Sequence, residues 1–322
     1  MKDWFVIINP EAGSGRGERD WPAIKALLEK HLLKFDFVFT QRKHHAVEIT
    51  VRAIRGGYRK IICVGGDGTH NEIVNGVFIQ QEVPTHDVTI ATVAVGTGND
   101  WAKTFFIPED YEACILAIKE GNTFVQDVGK VEYFEARVKQ ARYFANAAGV
   151  GFDADVAKAT NRLKEDGRKG RLLYLVSMIK TLVVFRSSAA KLQIDGAEHG
   201  GEFFSVTLGI GKYNGGGMMQ TPNALPGDGL FDVTLIRRVN RLNVLWNVFK
   251  LYNGKILRHS KVVGHKAASV RITAKPSFNL EADGESLGTS PFVFKSIPKS
   301  IRVVVGADFS NLRLPQAAIY TD

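Results

Sequence analysis

Three apolar segments of this sequence each end in a turn that contains glycine, and this repetition constrains the fold more than any other feature. The segments are residues 4–8, 61–64 and 88–95. The turns that follow them are Asn9-Pro10-Glu11-Ala12-Gly13, Gly65-Gly66-Asp67-Gly68-Thr69 and Gly96-Thr97-Gly98-Asn99-Asp100. Each apolar segment predicts a buried strand, and the turn at Gly65 leads directly into helix-like sequence. Strands that end in such turns are typical of α/β domains.

The turn at residues 65–69 has the composition of a phosphate-binding loop. Backbone N–H groups at a helix N-terminus attract anions, and glycine lets a phosphate approach the backbone closely. An ordinary strand-to-helix turn would usually need one glycine, whereas this turn places three around an acid and a hydroxyl. Because the carboxyl ends of parallel strands share one edge of a sheet, we expect the three turns to form a nucleotide pocket.

Two common nucleotide motifs do not account for these turns. The G-x-x-x-x-G-K-[ST] spacing of a Walker A loop occurs nowhere in the sequence. The segment Gly13-Ser14-Gly15-Arg16-Gly17 misses G-x-G-x-x-G by one position, so a dinucleotide-binding interpretation is weak.

The pattern of strands and helices changes near residue 128. Before it, strands at 4–8, 35–39, 61–64 and 89–95 alternate with helices at 22–31, 47–55, 69–77 and 111–119, which predicts a parallel sheet covered by helices. After it, strand-like segments at 203–209, 229–236, 268–273, 278–282 and 301–305 predict an antiparallel β-sandwich. Helices inserted at 172–185 and 242–257 complete this second region.

Composition narrows the classes of partner. The 322 residues predict about two domains, and the net charge of +9 calls for an anionic partner or substrate. No nucleic-acid module or basic-aromatic interleaving occurs, so we expect no nucleic acid. Basic residues precede the apolar segment 172–176, which is either a docking element for an anionic membrane or a core helix with a solvated lead-in. They are Arg162, Lys164, Arg168, Lys169 and Arg171.

The two cysteines and the apolar segments predict a cytoplasmic protein. Cys63 lies in a predicted strand and Cys114 in a predicted helix, so both are expected to be buried thiols in a reducing compartment. No apolar segment reaches the ~20 residues that cross a bilayer. The first residues lead straight into a strand, so we expect no secretory signal.

The motifs, in this order, resemble the diacylglycerol kinase catalytic family, which includes soluble bacterial lipid kinases and the sphingosine and ceramide kinases. The resemblance continues through Asn214-Gly215-Gly216-Gly217-Met218, residues 225–230 and Asp283-Gly284-Glu285. NAD kinases and phosphofructokinases share only the Gly-Gly-Asp-Gly element. The resemblance implies a three-layer α/β nucleotide-binding domain of their type over residues 1–127 and a β-sandwich substrate domain over 128–305, with the active site between them. The tail, residues 306–322, could return to the first domain.

The resemblance also implies which residues contact ATP. They are Asn9, Pro10, Glu11, Ala12, Gly13, Thr40, Gly65, Gly66, Asp67, Gly68, Thr69, His70, Asn71 and Thr97. Asn99 and Asp100 could close the pocket. Lys103 and Arg16 are either cations for the phosphates or ordinary surface charges.

Acidic residues carry the predicted chemistry. Asp67 is expected to bind Mg²⁺ or to order its loop as an Asx turn. Asp283-Gly284 suits the two-residue corner of a hairpin, of type I′. The family places its catalytic acid at the position of Glu285, which implies that Glu285 is the general base on the lipid hydroxyl, with Asp283 as its rival or a metal partner.

A second metal position is implied at residues 225–230. The family holds a structural Mg²⁺ there through an acid and flanking main-chain oxygens, which match Leu225, Asp228 and Leu230. A plain turn is the alternative, because Pro226-Gly227 stand where the family often carries further acids or amides.

The expected activity is an ATP-dependent, Mg²⁺-requiring kinase that phosphorylates the hydroxyl of diacylglycerol or of a sphingoid lipid. The alternatives are a kinase of a soluble hydroxyl compound such as NAD, and an inactive nucleotide- or membrane-binding regulator. A membrane lipid substrate implies peripheral contact with the anionic inner surface of the membrane. Whether the protein forms a homodimer is left open.

Overall fold

The computed structural model describes residues 3–165, 172–311 and 319–320. The chain divides into two compact units, a first unit of Met1–Asp127 with Pro298–Asp322 and a second unit of Val128–Ile297. Residues 298–305, which the sequence analysis assigned to the β-sandwich, thus lie in the first unit. The basic residues Arg168, Lys169 and Arg171 of the predicted docking element, and residues 312–318 of the tail, lie outside the described residues.

The first unit is built on a parallel sheet. Its strands are β1 (Trp4–Ile8), β2 (Phe35–Phe39), β3 (Lys60–Gly65) and β4 (Thr89–Ala94), in the order β2-β1-β3-β4. Arg302 and Val303 extend this sheet in parallel beside β4, which explains why residues 298–305 belong to the first unit. At the tail, Ile319 pairs with Phe124.

Helices accompany these strands in the described residues. They are α1 (Ala12–Lys30), α2 (His45–Arg55), α3 (Asp67–Ile79), α4 (Asp100–Thr104) and α5 (Tyr111–Glu120). Four of them correspond to the predicted helices, whereas α4 was not predicted and α1 begins earlier than predicted. Short 3-10 turns lie at Thr85–Asp87 and Ala307–Asn311. Leu28 of α1 and Ile115 of α5 pack with Val6 and Val64 on one face of the sheet, while α2 and α3 contact β1 and β3.

The second unit consists mainly of antiparallel strands. They are β5 (Thr123–Glu135), β6 (Val138–Phe144), β7 (Ala147–Gly151), β8 (Ser188–Ile194), β9 (Ala197–Gly209), β10 (Phe231–Arg237), β11 (Val262–Ala267), β12 (Ser269–Lys275), β13 (Asn279–Ala282) and β14 (Glu285–Val304). Both β5 and β14 continue into the first unit. The helices are α6 (Phe152–Glu165), α7 (Leu172–Val184), α8 (Arg241–Asn247) and α9 (Phe249–Tyr252), with a 3-10 turn at Ile256–Arg258.

The two long strands β9 and β14 connect the other strands of the second unit, and the connected strands enclose one core. The first half of β9 pairs with β8 and its second half with β7 and β10, while β14 pairs with β13 and then with β12. Since β8 also pairs with β12 and β7 with β13, the pairing returns to its start. The enclosed core contains Leu208, Leu192, Val270, Phe292 and Leu280, each almost fully buried. This is the predicted β-sandwich.

Two sequence predictions about local structure have clear outcomes. The helix predicted at 242–257 is divided into α8, α9 and a 3-10 turn, and Gly254, with φ +67°, follows the end of α9. The helix predicted at 172–185 is α7.

Cys63 and Cys114 are buried free thiols, as expected. Within the described ranges, no helix has the length and apolar character that would be needed to cross a bilayer.

Candidate functional site

The carboxyl ends of four parallel strands define an edge of the first sheet. β2 lies on one side of β1, and β3 and β4 lie on the other, so the chain direction across the sheet reverses between β1 and β3. Ligands of open α/β sheets bind at this kind of reversal, outside the carboxyl ends of the strands. The three predicted turns follow β1, β3 and β4 and therefore lie at this edge, as the sequence implied.

The turn after β1 is joined to the turn after β3 by side chains. The Asn9 Nδ2 donates to the Thr69 Oγ1 at 2.9 Å, across the reversal point. The Asn9 Oδ1 in turn accepts from the Glu11 N–H at 3.1 Å, which shapes the first turn. The Thr40 N–H donates to the Ile8 carbonyl at 2.8 Å, so buried Thr40 lies beside this turn at the end of β2.

Glycine is required where the three turns meet. A Cβ built on Gly96 would lie 2.6 Å from the Gly66 Cα, and one on Gly13 would lie 2.0 Å from the Val95 carbonyl oxygen. A Cβ on Gly65 would lie 2.6 Å from the Thr69 Cβ. These approaches are shorter than carbon contacts of 3.5–4.0 Å allow. The turns therefore pack backbone against backbone, and no larger residue fits without moving one of them.

Gly17 has a role in this corner that the sequence analysis did not assign. A Cβ at Gly17 would lie 1.9 Å from the Asn9 carbonyl oxygen. Residues 13–15 have positive φ, so the regular part of α1 begins at Arg16 and passes directly against the first turn. The signal in the sequence was the third glycine of Gly13-Ser14-Gly15-Arg16-Gly17, which serves helix packing here instead of completing a dinucleotide fingerprint.

The turn after β3 leads without a linker into α3. Gly66 is extended and precedes Asp67, the first residue of the helix, so the N–H groups of the first helical turn lie at the edge of the sheet. The Asp67 Oδ1 accepts from the Trp101 N–H of α4 at 3.0 Å, which links the second turn to the third. Asp67 therefore ties two of the turns together, through a bond to a distant residue and not through an Asx turn. The helix dipole of α3 favours an anion at this place.

His70 and Asn71, which were predicted among the ATP contacts, have buried side chains. The His70 Nδ1 lies 3.0 Å from the Thr92 Oγ1, and its ring stacks on Trp101 with 3.9 Å between ring centroids. Burial lowers the pKa of His70 to about 3, so the ring is neutral. The Asn71 Oδ1 accepts from the Asn75 Nδ2 at 3.1 Å. These side chains support α3 from within the unit.

The candidate cations each have an acidic partner. The Lys103 Nζ donates to the Asp100 Oδ1 at 3.0 Å, and Asp100 is buried. The Arg16 Nε lies 3.2 Å from the Asp20 Oδ2, and the Arg16 Nη2 donates to the Tyr111 hydroxyl at 2.9 Å. Both cations lie beside the turns, but Lys103 is bonded within α4, and Arg16 is bonded to Asp20 of α1 and to Tyr111 of α5.

The third turn contains one unsatisfied polar atom. The Asn99 Nδ2 donates to the Gly96 carbonyl at 3.0 Å, whereas the buried Asn99 Oδ1 has no hydrogen-bond partner among the residues that the structure describes. A buried acceptor without a partner costs about 1–3 kcal/mol, so a donor supplied by a ligand would relieve this cost. Thr97, in the same turn, is exposed to solvent.

In the second unit, the predicted acidic turn is a type I′ hairpin corner. Ala282 pairs with Glu285, and the two residues between them, Asp283 and Gly284, have φ of +48° and +81°. Glu285 is the first residue of β14 and is half-buried. The predicted hairpin corner is confirmed.

Asp283 is a structural anchor of this corner. Its carboxylate accepts hydrogen bonds from the N–H groups of Ala145, Asn146 and Ala147, at 2.8, 3.0 and 3.0 Å. Three backbone donors satisfy a carboxylate strongly in the ionised form. Asp283 thus fixes the turn that carries Glu285 to the start of β7, an arrangement that favours a positioning role over that of a rival base.

Two further acids near this corner, Asp153 and Glu281, are buried. Asp153 of α6 accepts from the Ser205 Oγ at 2.5 Å and from the Thr207 Oγ1 at 2.9 Å. The Glu281 Oε2 accepts from the Gly284 N–H at 3.0 Å. Burial, with a smaller contribution from the carboxylates of Asp153 and Asp283, raises the pKa of Glu281 to about 8. Glu281 is therefore protonated at neutral pH in the folded protein.

Glu281→Gln is expected to flatten the pH dependence of stability. The pKa of Glu281 in the folded protein, about 8, exceeds the ordinary glutamate value of 4.5, so the native state loses stability as the pH rises between these values. While only the unfolded state is ionised, this loss is about 1.4 kcal/mol per pH unit. Unfolding temperatures at pH 5 and pH 8 should therefore diverge less in Glu281→Gln than in the wild type; equal divergence in the two proteins would contradict the assignment.

The predicted metal position at 225–230 is an ion pair in the structure. The Lys266 Nζ lies 2.5 Å from the Asp228 Oδ2 and 3.6 Å from the Asp232 Oδ2. The Asp228 Oδ1 accepts from the Leu230 N–H at 3.0 Å. Lys266 thus already neutralises Asp228, and no group of three or more potential His, Cys, Asp or Glu ligands occurs in the described part of the chain. The pairing with Lys266 argues against a structural Mg²⁺ here, and this metal position stays a prediction.

Removal of divalent cations is therefore expected to leave the fold unchanged. Without nucleotide, the unfolding temperature in excess EDTA should lie within about 1 °C of that in Mg²⁺, because a saturated metal site would add about 2.7 kcal/mol at a hundredfold excess over its Kd. For a protein of this size, each kcal/mol shifts the unfolding temperature by about 2–4 °C. A fall of several degrees in EDTA would mean that a metal replaces the Lys266 ion pair.

Comparisons with known proteins match two family models to successive parts of the chain. Residues 3–131 match the model of the diacylglycerol kinase catalytic domain, and residues 146–305 match that of the YegS C-terminal NAD kinase beta sandwich-like domain. A diacylglycerol kinase of Staphylococcus carnosus (strain TM300) is 28% identical over 97% of this chain and 97% of its own length. The Bacillus subtilis (strain 168) protein named "Putative lipid kinase YtlR" is 30% identical over 94% of this chain and 99% of its own length.

Solved structures share the fold. A crystal structure of a diacylglycerol kinase from Bacillus anthracis str. Sterne has a TM-score of 0.71 at 21% identity, covering 96% of this chain and 98% of its own. Yeast NADH kinase complexed with NADH has a TM-score of 0.54 at 12% identity, covering 94% and 83%. The likeness to diacylglycerol kinases therefore extends over both units, and the likeness to the NADH kinase is more distant.

Proposed function

Because the chain belongs to the diacylglycerol kinase catalytic family, we propose that it transfers the γ-phosphate of ATP to the hydroxyl of a lipid of the diacylglycerol or sphingoid type. The observation that carries the proposal is the meeting of three turns at one edge of the first sheet, with Gly66 and Gly96 packed backbone to backbone. Phosphoryl transfer depends mainly on positioning and electrostatic stabilisation, which such a rigid edge can supply.

ATP is proposed to bind through its phosphates at this edge. The N–H groups of the first turn of α3 and the side chains of Asn9 and Thr69 are the available donors, and the Asn99 Oδ1 is the available acceptor. The remaining predicted contacts, residues 10–13, Thr40 and Thr97, belong to the same turns or adjoin them. Lys103 and Arg16 would then contribute positive potential in place of direct phosphate contacts, because their acidic partners hold them.

Two carboxylates fit a Mg²⁺ that arrives with ATP. A Cβ built on Gly98 would lie 3.2 Å from the Asp67 Oδ2 and 3.6 Å from the Asp100 Oδ2, so both oxygens face one place in the third turn. Mg²⁺ in kinases is held by one or two carboxylates together with the phosphates of the substrate. When bound, the ion would neutralise the charge that develops on the transferred phosphoryl group.

Glu285 is proposed as the base that accepts the proton of the lipid hydroxyl. It follows a rigid type I′ corner, and Asp283 holds that corner through three backbone hydrogen bonds. A carboxylate is a weak base, so Glu285 must act through alignment with the hydroxyl. In this proposal Asp283 positions Glu285 and does not compete with it.

The test is a panel of acceptors offered side by side with γ-labelled ATP and Mg²⁺. Diacylglycerol, a sphingoid base and NAD each yield a separable product. We expect the label in the product of one of the two lipids. Label in NAD would replace the proposal with a soluble-substrate kinase, and ATP binding without transfer to any acceptor would replace it with a regulator. Phosphorylation of a membrane lipid also implies peripheral contact of a cytoplasmic protein with the inner membrane surface.

A further inference from the structure

Helices α7 and α8–α9 of the second unit expose an unusual number of large apolar side chains. Val176, Ile179 and Val183 are exposed on α7, and Leu242, Trp246 and Phe249 are exposed on α8–α9. We call these six side chains the apolar face. The exposed fraction reaches 76% for Trp246. Single exposed apolar residues are ordinary, whereas a contiguous group of them marks an interaction site.

The same helices also have an inward side, which explains why the apolar face points outward. Met178 and Leu182 of α7 pack with Val244 and Val248 in one buried cluster. Each inward pair is four residues apart, and the outward residues follow the helical spacing i, i+3 or i+4, i+7. The Arg241 Nε donates to the Leu182 carbonyl at 3.0 Å, so α8 is held against α7 and the two exposed rows belong to one packed pair of helices. Core packing is therefore already satisfied without the apolar face.

The segments of sequence that contain these helices are basic, although Arg238 pairs with Glu202 and Lys266 pairs with Asp228. Residues 233–280, which include α8 and α9, contain no aspartate or glutamate. The same segment carries ten basic residues: Arg237, Arg238, Arg241, Lys250, Lys255, Arg258, Lys261, Lys266, Arg271 and Lys275. Residues 167–194, which include α7, also lack acids and carry Lys180, Arg186 and Lys191 in their described part. An anionic surface is the partner that this charge distribution attracts.

We propose that the apolar face inserts into the interfacial region of an anionic lipid bilayer, with Trp246 at the depth of the headgroups. Helices that lie in the membrane interface combine an apolar row that contains Trp, Phe or Leu with surrounding Lys and Arg. Tryptophan prefers the boundary between hydrocarbon and water. The inference rests on the proposed function for its biological purpose, since a lipid kinase must reach a substrate in a membrane, but the surface itself is defined by exposure and charge.

A second copy of this chain is a poorer occupant. Pairing this face with itself would bring two acid-free, basic segments together, and like charges across an interface oppose association. A bilayer that contains anionic lipids supplies both the apolar layer and the negative charge that the face lacks.

Trp246 allows a direct test, because it is the exposed one of the four tryptophans. Trp4, Trp21 and Trp101 are buried. The full-length protein is mixed with vesicles of phosphatidylglycerol and phosphatidylcholine in equal parts. We expect the tryptophan emission to shift to shorter wavelength, and brominated acyl chains near the headgroups to quench it. Trp246→Phe should still sediment with the vesicles, while the shift and the quenching disappear.

A double variant tests the energetic contribution of the face. Leu242→Ser with Phe249→Ser is expected to lower the partition coefficient onto these vesicles at least tenfold. The matched control is Leu32→Ser in the first unit, because Leu32 is 82% exposed and lies far from these helices in the sequence. It should leave the partition coefficient within a factor of two. Equal losses in the double variant and the control would overturn the proposal.

Turnover of a soluble short-chain diacylglycerol separates this proposal from the proposed function. Vesicle binding with Trp246 quenching but no turnover would support the membrane face and contradict the kinase assignment. Turnover without vesicle binding, or vesicle binding without Trp246 quenching, would overturn the membrane face and leave the kinase assignment standing. Emission that is already shifted without vesicles, together with dimer formation in sedimentation velocity, would assign the face to a second copy of the chain and also overturn the proposal.

Discussion

Gly96→Ala is expected to weaken ATP binding at least tenfold, which is about 1.4 kcal/mol or more. The added Cβ would lie 2.5 Å from the Asn99 Oδ1 and 2.6 Å from the Gly66 Cα, so the third turn must move away from the second. Such overpacking costs about 1–3 kcal/mol of stability, and the displaced backbone would no longer present the phosphate donors together. Isothermal titration with a non-hydrolysable ATP analogue and Mg²⁺ measures the loss.

Gly200→Ala is the matched control for this variant. Gly200 belongs to β9 in the second unit, does not have positive φ, and a Cβ there would meet no atom within 4 Å. It should bind the analogue as the wild type does. Normal binding by a folded Gly96→Ala protein, judged by its unfolding temperature, would show that close approach of the two turns is unnecessary for the nucleotide.

Glu285→Gln is expected to lower kcat by about 10²- to 10⁴-fold, the range that general base catalysis usually contributes. The amide keeps the shape of the side chain but cannot accept the proton of the hydroxyl. Because Glu285 lies in the second unit and the three turns lie in the first, the affinity for the ATP analogue should remain unchanged. Steady-state turnover with saturating lipid substrate, together with the titration above, separates chemistry from binding.

Glu135→Gln provides the corresponding control. Glu135 pairs with Val138 across another two-residue corner of the second unit, at Ala136 and Arg137, both with positive φ. Its side chain is exposed, and no catalytic role is proposed for it. We expect wild-type turnover. If Glu285→Gln retained turnover within a few-fold of the wild type while remaining folded, the proton would have to go elsewhere.

The fold of the first unit could be predicted well because its signals are local. Strands β1 and β2 begin and end at the predicted residues, β3 is longer than predicted by one residue at each end, and β4 ends one residue earlier. A parallel sheet buried on both faces produces continuous apolar segments, and each segment here is followed by glycine or asparagine. The meeting of the turns then follows from the shared edge of parallel strands.

The second unit was harder to predict because its strands depend on distant partners. Five of its described strands were not predicted, namely β5, β6, β7, β8 and β11; β6, for example, is largely polar, and β8 places its buried residues only at alternate positions. The long strands β9 and β14 each serve two sets of neighbours, and nothing in the local pattern marks where one set ends. Residues 298–305 illustrate the consequence, because their apolar pattern fits a strand in either unit.

Several features of the site could not be predicted because they are pairings between distant side chains. The ion pair of Lys266 with Asp228 joins residues that are 38 apart, so the turn at 225–230 alone gave no sign that its carboxylate was neutralised. The three hydrogen bonds to Asp283 come from residues 145–147, which the sequence analysis had left unassigned. The apolar spacing of α8 was visible, but which of its residues face solvent is decided by α7.

Hydrogen–deuterium exchange with and without a non-hydrolysable ATP analogue tests the central claim most directly. The account predicts slower exchange, in the presence of the analogue and Mg²⁺, at residues 9–17, 65–71 and 96–101 together. Protection confined to one of these segments, or found only in other parts of the chain, would contradict the proposal that the three turns hold the phosphates of ATP.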